Sequence, residues 1–136
     1  MLIAAITAFL VIHFGLLSSA VAGPFDQTAA LIKKDVADDA RQEHALAIVD
    51  QMKSETGAYA AKREKSLASL GKLTAKRATP TSEIERAAQP LIAEDRASAE
   101  RLLDLRFQLK SVLTAGEWAK IFPAPATEAA GRKKPA

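Results

Sequence analysis

The amino-acid sequence predicts an all-α protein: a long antiparallel helical hairpin or small bundle, kinked at its second helix, with a short C-terminal helix. Three observations predict it. A proline-free run from Thr28 to about Ala78 is rich in Ala, Lys, Glu, Asp, Arg and Leu, mostly strong helix formers. From Ile84 to Val112 inward-reading positions return with alternating four- and three-residue spacings. Between them stands Thr79-Pro80-Thr81-Ser82-Glu83, a short proline turn of the kind that sets two helices antiparallel.

The first 22 residues contain no Asp, Glu, Lys or Arg and close on Ser19-Ala20-Val21-Ala22, with small residues where a signal peptidase reads. Residues 1–22 are therefore read as a signal peptide cut before Gly23, or as a retained N-terminal membrane anchor, since about 20 apolar residues span a bilayer. A positive start is missing from the segment. Either reading puts the polar part in the periplasm, soluble after cleavage or tethered to the inner membrane, with membrane contact through residues 1–22. His13 belongs to this leader.

The helical domain is expected over 23–122. Asp26 or Thr28 can cap its first helix. A helical stripe runs through Leu31 or Ile32, Val36, Ala40, Leu46, Val49, Tyr59 or Ala60, Leu67 and Leu70. Gly57 and Gly71 interrupt it, each costing ~1 kcal/mol relative to alanine in an exposed helix, and either is a candidate bend. Unbroken, such a helix extends roughly 70 Å.

The second helix starts with Thr79 as cap and Pro80 at its first position, or with Ser82 and Glu85 as a capping box. Ile84, Ala88, Leu91, Asp95, Ser98, Leu102, Leu105, Leu109 and Val112 form a coiled-coil-like seam. Its middle is polar at Asp95 and Ser98, so the C-terminal half should pack best. Pro90 lacks a backbone donor, and a kink or break is expected near Gln89. The stripes carry little bulk, which points to a homodimer that covers more of them.

Thr114 and Glu117 then read as a capping box, with Leu113 and Trp118 at the two positions of a hydrophobic staple. A short helix follows to about Phe122. The rest, 123–136, has no periodicity and reads as a disordered tail.

The chain has 136 residues and a net charge of +3, and every charged side chain lies after residue 25. A basic face gathers Lys53, Lys62, Arg63, Lys65, Lys72, Lys76 and Arg77, opposed in that stretch only by Glu55 and Glu64; Arg132, Lys133 and Lys134 end the tail. Such a field attracts anionic surfaces or acidic clients. Nucleic acid is not expected, because the basic residues lack aromatic interleaving and a recognisable binding fold.

Catalysis is not expected either. The chain has no cysteine, which removes thiol catalysis, thiolate zinc and disulfides. Outside the leader there is one histidine, His44. With Glu43 and Asp39 it falls short of a zinc site, which needs three or four ligands. Asp38-Asp39 and Glu94-Asp95 read as helix charges pairing with Arg41 and Arg96. No enzyme activity, cofactor or metal is assigned. Phe107 is expected to fill the bundle, while Leu113, Thr114, Glu117, Trp118 and Phe122 form the motif and a candidate binding surface.

The segment Leu113-Thr114-x-x-Glu117, after a helix bearing Arg101, Leu102, Leu105, Arg106, Leu109 and Val112, resembles the LTxxQ repeat of the Spy/CpxP-type periplasmic proteins. Glu117 stands where that family usually has glutamine. The resemblance implies an exported, small, all-helical protein that is chaperone-like or modulates envelope-stress sensing. Its partners would be unfolded envelope proteins or the periplasmic domain of a sensor kinase. The alternatives are a membrane-anchored structural or scaffolding coiled coil and a metal-resistance sensor accessory.

Overall fold

The computed structural model describes residues 23–124. The first helix, α1 (Pro24–Asp35), begins with proline at a position whose N–H would have no helical partner. Asp26 in its first turn and Lys33 and Lys34 in its last complement the helix dipole. It ends at Val36, which turns extended. The Gln42 side-chain amide then donates to the carbonyls of Lys33 and Val36 at 3.2 and 2.9 Å, satisfying groups that the helix end leaves open.

Asp38 starts α2 (Asp39–Thr74), its carboxylate accepting the backbone N–H of Arg41 at 2.8 Å. The run expected to begin near Thr28 is thus two helices, divided at Val36–Asp38. Gly57 and Gly71 both lie inside α2 and end nothing. With 36 residues, α2 extends about 54 Å.

A tight turn, in which the Thr79 N–H donates to Lys76 O at 3.0 Å, leads into α3 (Thr81–Val112). Pro80 sits in the capping position with no side-chain cap. Neither the Thr79 cap nor the Ser82–Glu85 box forms, because helical geometry begins at Thr81. Pro90 lies inside α3; the helix is kinked and unbroken. Leu113 is extended, and α4 (Ala115–Ile121) closes the fold.

These four helices form a kinked, all-α bundle among the described residues. α2 pairs with α3, and α1 lies against both α2 and α4. One apolar cluster holds them together. Ile32 and Val36 come from the end of α1, and Ala45, Ile48, Val49 and Met52 from the first half of α2. Leu109 and Leu113 come from the end of α3, and Ile121 from α4. Each large side chain so buried contributes roughly 1.5–3 kcal/mol. All nine expected seam positions of α3 are buried or half-buried, with Ser98 and Leu109 fully enclosed. The expected stripe on α2 is less well placed: Ala40 and Leu67 are exposed, while Ala45, Ile48 and Met52 are buried.

Two expectations require correction. Phe107 does not fill the bundle and is 60% exposed. It lies two residues before buried Leu109, about 200° around the helix, so both cannot face inward. The membrane anchor and the tethering to the inner membrane are corrected as far as the described residues go, which supply no support for either. No helix among the described residues is long and apolar enough to cross a membrane. α2 and α3 have the length, but charged residues recur along both. Residues 1–22, which carried the signal-peptide and anchor readings, lie outside the described residues, as does the tail beyond Ala124.

Candidate functional site

The Leu-Thr-x-x-Glu unit folds as a capping box. The Glu117 N–H donates to Thr114 Oγ1 at 3.2 Å, and the Thr114 N–H donates to Glu117 Oε2 at 2.8 Å. The same carboxylate accepts from Arg41 at the start of α2, Nη1 to Oε2 at 2.7 Å and Nη2 to Oε1 at 3.1 Å. Its side chain is only 12% exposed. The Arg41 guanidinium, then the Thr114 N–H, hold the Glu117 carboxyl down at about 2.

Beside this joint, Trp118 and Phe122 stack at a tilt, ring centroids 4.4 Å apart. The Arg106 guanidinium lies 5.2 Å from the Trp118 ring centre and 5.0 Å from that of Phe122. Its charge meets the faces of both rings, and burial lowers its pKa. Leu113 is buried in the core. The structure therefore brings Leu113, Thr114, Glu117, Trp118 and Phe122 together at one corner. They meet their own chain there: the corner is a joint that fastens α4 to α1, α2 and α3.

The expected basic face divides in two. Lys53 pairs with Asp26 at 2.8 Å, Lys62 with Glu94 at 3.3 Å and Arg63 with Asp95 at 2.6 Å. Lys65, Lys72, Lys76 and Arg77 are exposed and form no ion pair among the described residues. These four lie on the distal half of the hairpin, towards its turn.

A polar layer separates that half from the core. Tyr59 Oη and Arg63 Nη1 both donate to Asp95 Oδ1 at 2.8 Å, and Arg63 Nη1 also donates to Tyr59 Oη at 2.9 Å. Burial, then the bond to Asp95, raises the Tyr59 pKa, and the bond to Asp95 raises that of Arg63. Buried Ser98 donates to Glu55 at 3.3 Å, and Arg101 bridges Glu55 at 2.7 Å and Glu94 at 2.9 Å. Every buried polar side-chain atom among the described residues has a partner. The polar middle read from Asp95 and Ser98 is thus a set of ion pairs across the two helices.

Beyond this layer the hairpin becomes an arm with little core of its own. From Lys53 to Ala97 no residue is buried. Its apolar side chains, Leu70, Leu73, Ile84, Ala88 and Leu91, are half-buried between the two helices, and Leu67 is 44% exposed. The shallow groove of about 480 Å³ between α2 and α3 lies nearer the base, where Arg101 and Glu55 already neutralise one another across it.

His44 is exposed on α2. Asp38 serves as a helix cap, and Glu94 and Asp95 face Lys62 and Arg63. Arg96 pairs with Glu100, 3.1 Å away on its own helix. Among the described residues no group of three or more His, Cys, Asp or Glu side chains converges. Sequence reasoning missed Arg41 as the partner of Glu117 and Arg106 as the cation on the two rings. For Arg106 a faint signal existed: it lies one helical turn from Leu102 and Leu109 on the inward half of α3. Comparison with protein-family models, curated proteins and solved structures returns no match.

Proposed function

We propose that this protein is a non-catalytic helical binding protein with a chaperone-like role, its hairpin arm receiving unfolded or extended stretches of other proteins. One observation supports the reading above the rest: from Lys53 to Ala97 the arm carries a line of leucines and an isoleucine with no residue buried. Such a segment opens at less cost than the base, because few buried contacts hold it. Parting of the two helices would expose a narrow apolar seam. Lys65, Lys72, Lys76 and Arg77 beside it would attract acidic stretches of a partner. The resemblance of the Leu113–Glu117 unit to the Spy/CpxP-type repeat agrees with this reading. Within the proposal that repeat supplies the joint at the base, and the arm supplies the binding surface.

The experiment is suppression of aggregation. A reduced, aggregating client is followed by light scattering with increasing amounts of this protein. The expected result is slowed aggregation, weakened by Leu70→Ser with Leu73→Ser and by Lys72→Glu with Lys76→Glu. No suppression at a several-fold molar excess would overturn the proposal. The cross-helix ion pairs Lys62–Glu94, Arg63–Asp95 and Arg101–Glu55 favour a second reading, a stiff structural spacer. A spacer would leave aggregation unaffected.

A further inference from the structure

One flank of α3, about 100° around the helix from its core-facing seam, carries a second repeat. Glu85, Ile92 and Ala99 stand seven residues apart, and so do Arg96, Leu103 and Lys110. With Gln89 and Arg106, which complete the rows and face one another in the pairing below, they alternate as the two rows of a heptad seam, Arg106 being half-buried against Trp118 and Phe122. Ile92 and Leu103 are each 47% exposed, and Phe107 beside them is the most exposed large apolar side chain described. Glu85 and Lys110 are exposed and form no ion pair among the described residues.

We infer that two copies of the chain pair through this face, α3 against α3 and antiparallel, about a two-fold axis at the height of Ala97 and Ser98. In that register Ile92 meets the partner's Leu103, and Leu103 meets the partner's Ile92. Glu85 meets the partner's Lys110, and the reciprocal pair forms at the other end. Arg96 lies over the partner's Ala99, which leaves room for its stem, and beside the partner's Glu100. The Arg96–Glu100 pair within each chain exchanges for the same pair between chains. One surface thus matches itself in polarity and in the charges at its two ends, while Glu100 beside each Arg96 offsets the like charges near the axis, as an isologous two-fold contact demands. A parallel, in-register pairing fails the same test, since it sets Glu85 on Glu85 and Lys110 on Lys110. Like charges so placed disfavour that arrangement and select the antiparallel one.

The pairing does not depend on client binding by the arm, and its test reads mass alone. Sedimentation equilibrium of the full chain is expected to show a dimer at micromolar concentration. Leu103→Asp should shift it to monomer, with the helical circular dichroism retained. Glu85→Lys and Lys110→Glu should each weaken association about tenfold or more, and the double variant should restore it, because opposite charges again face one another. A monomer throughout the micromolar range overturns the inference. So does a dimer indifferent to Leu103→Asp, which would use another face, and so does a double variant as weak as the single ones. A full-length protein that stays monomeric yet binds unfolded chains in a manner sensitive to Leu103→Asp would assign this face to clients and reject the pairing.

Discussion

Arg41 closes a two-pronged fork on Glu117, Nη1 on Oε2 and Nη2 on Oε1, across 76 residues of sequence. The fork ties the first turn of α2 to the first turn of α4. It draws the Glu117 carboxyl from its ordinary 4.5 to about 2. A carboxyl lowered by folding stabilises the fold fully above its unfolded value and loses that stabilisation as pH falls through the folded one. α4 should therefore begin to loosen below pH 4.5 and be free of this tie near pH 2. Trp118, the single tryptophan of the chain, lies on α4 and reports the change. Its emission is expected to move to the red across that interval. Arg41→Met should show a red-shifted emission already at neutral pH and a flatter titration.

Thr114→Ala removes one half of the capping box. The expected cost is ~1 kcal/mol, felt as faster amide exchange from Ala115 to Ile121 while α2 and α3 exchange as before. From the sequence alone, Glu117→Gln is expected to be mild, because an amide can still join the box. The structure reverses that expectation. The substitution also leaves Arg41 without its anion, so it should loosen α4 more than Thr114→Ala does. Equal effects of the two variants on exchange would show that the fork carries no stabilisation.

The seam of α3 was legible because nine positions repeat one spacing over eight turns, and each faces inward. The box at Thr114 was legible because its four residues are consecutive and its bonds are local. The division between α1 and α2 was not. Asp38 reads equally well as one member of an acidic pair or as a cap, and only the packing of Val36 into the core decides for the cap. Nor could sequence spacing bring Arg41 to Glu117 or Arg106 onto Trp118 and Phe122, since those contacts follow from how helices cross.

Leu109→Ala should be among the most damaging single changes. Leu109 is 1% exposed at the centre of the cluster, and a cavity of that kind costs about 2–5 kcal/mol. Leu91→Ala, in the half-buried arm, should cost about 1 kcal/mol, near the typical value for a point substitution. Urea unfolding of both variants checks the contrast. Similar losses would mean that the arm and the base share one core.

Gly57→Ala should stabilise the protein by about 0.5–1 kcal/mol. Gly57 lies inside α2, and a methyl group placed there meets nothing within 4 Å. A higher midpoint in thermal unfolding is the expected reading. A destabilised variant would show that the site needs to be bare.

The cluster that fixes the fold draws nothing from the stretch between Met52 and Ser98. Reach and anchorage are thereby separable quantities in this molecule. Removing one heptad from each leg of the hairpin, or adding one, keeps both seams in phase and leaves the base untouched. Each such step alters the projection of the tip by about 10 Å. An architecture of this kind tolerates paired insertions and deletions far better than unpaired ones, which would rotate one leg against the other. Selection can then tune how far the tip extends without renegotiating what holds the protein folded.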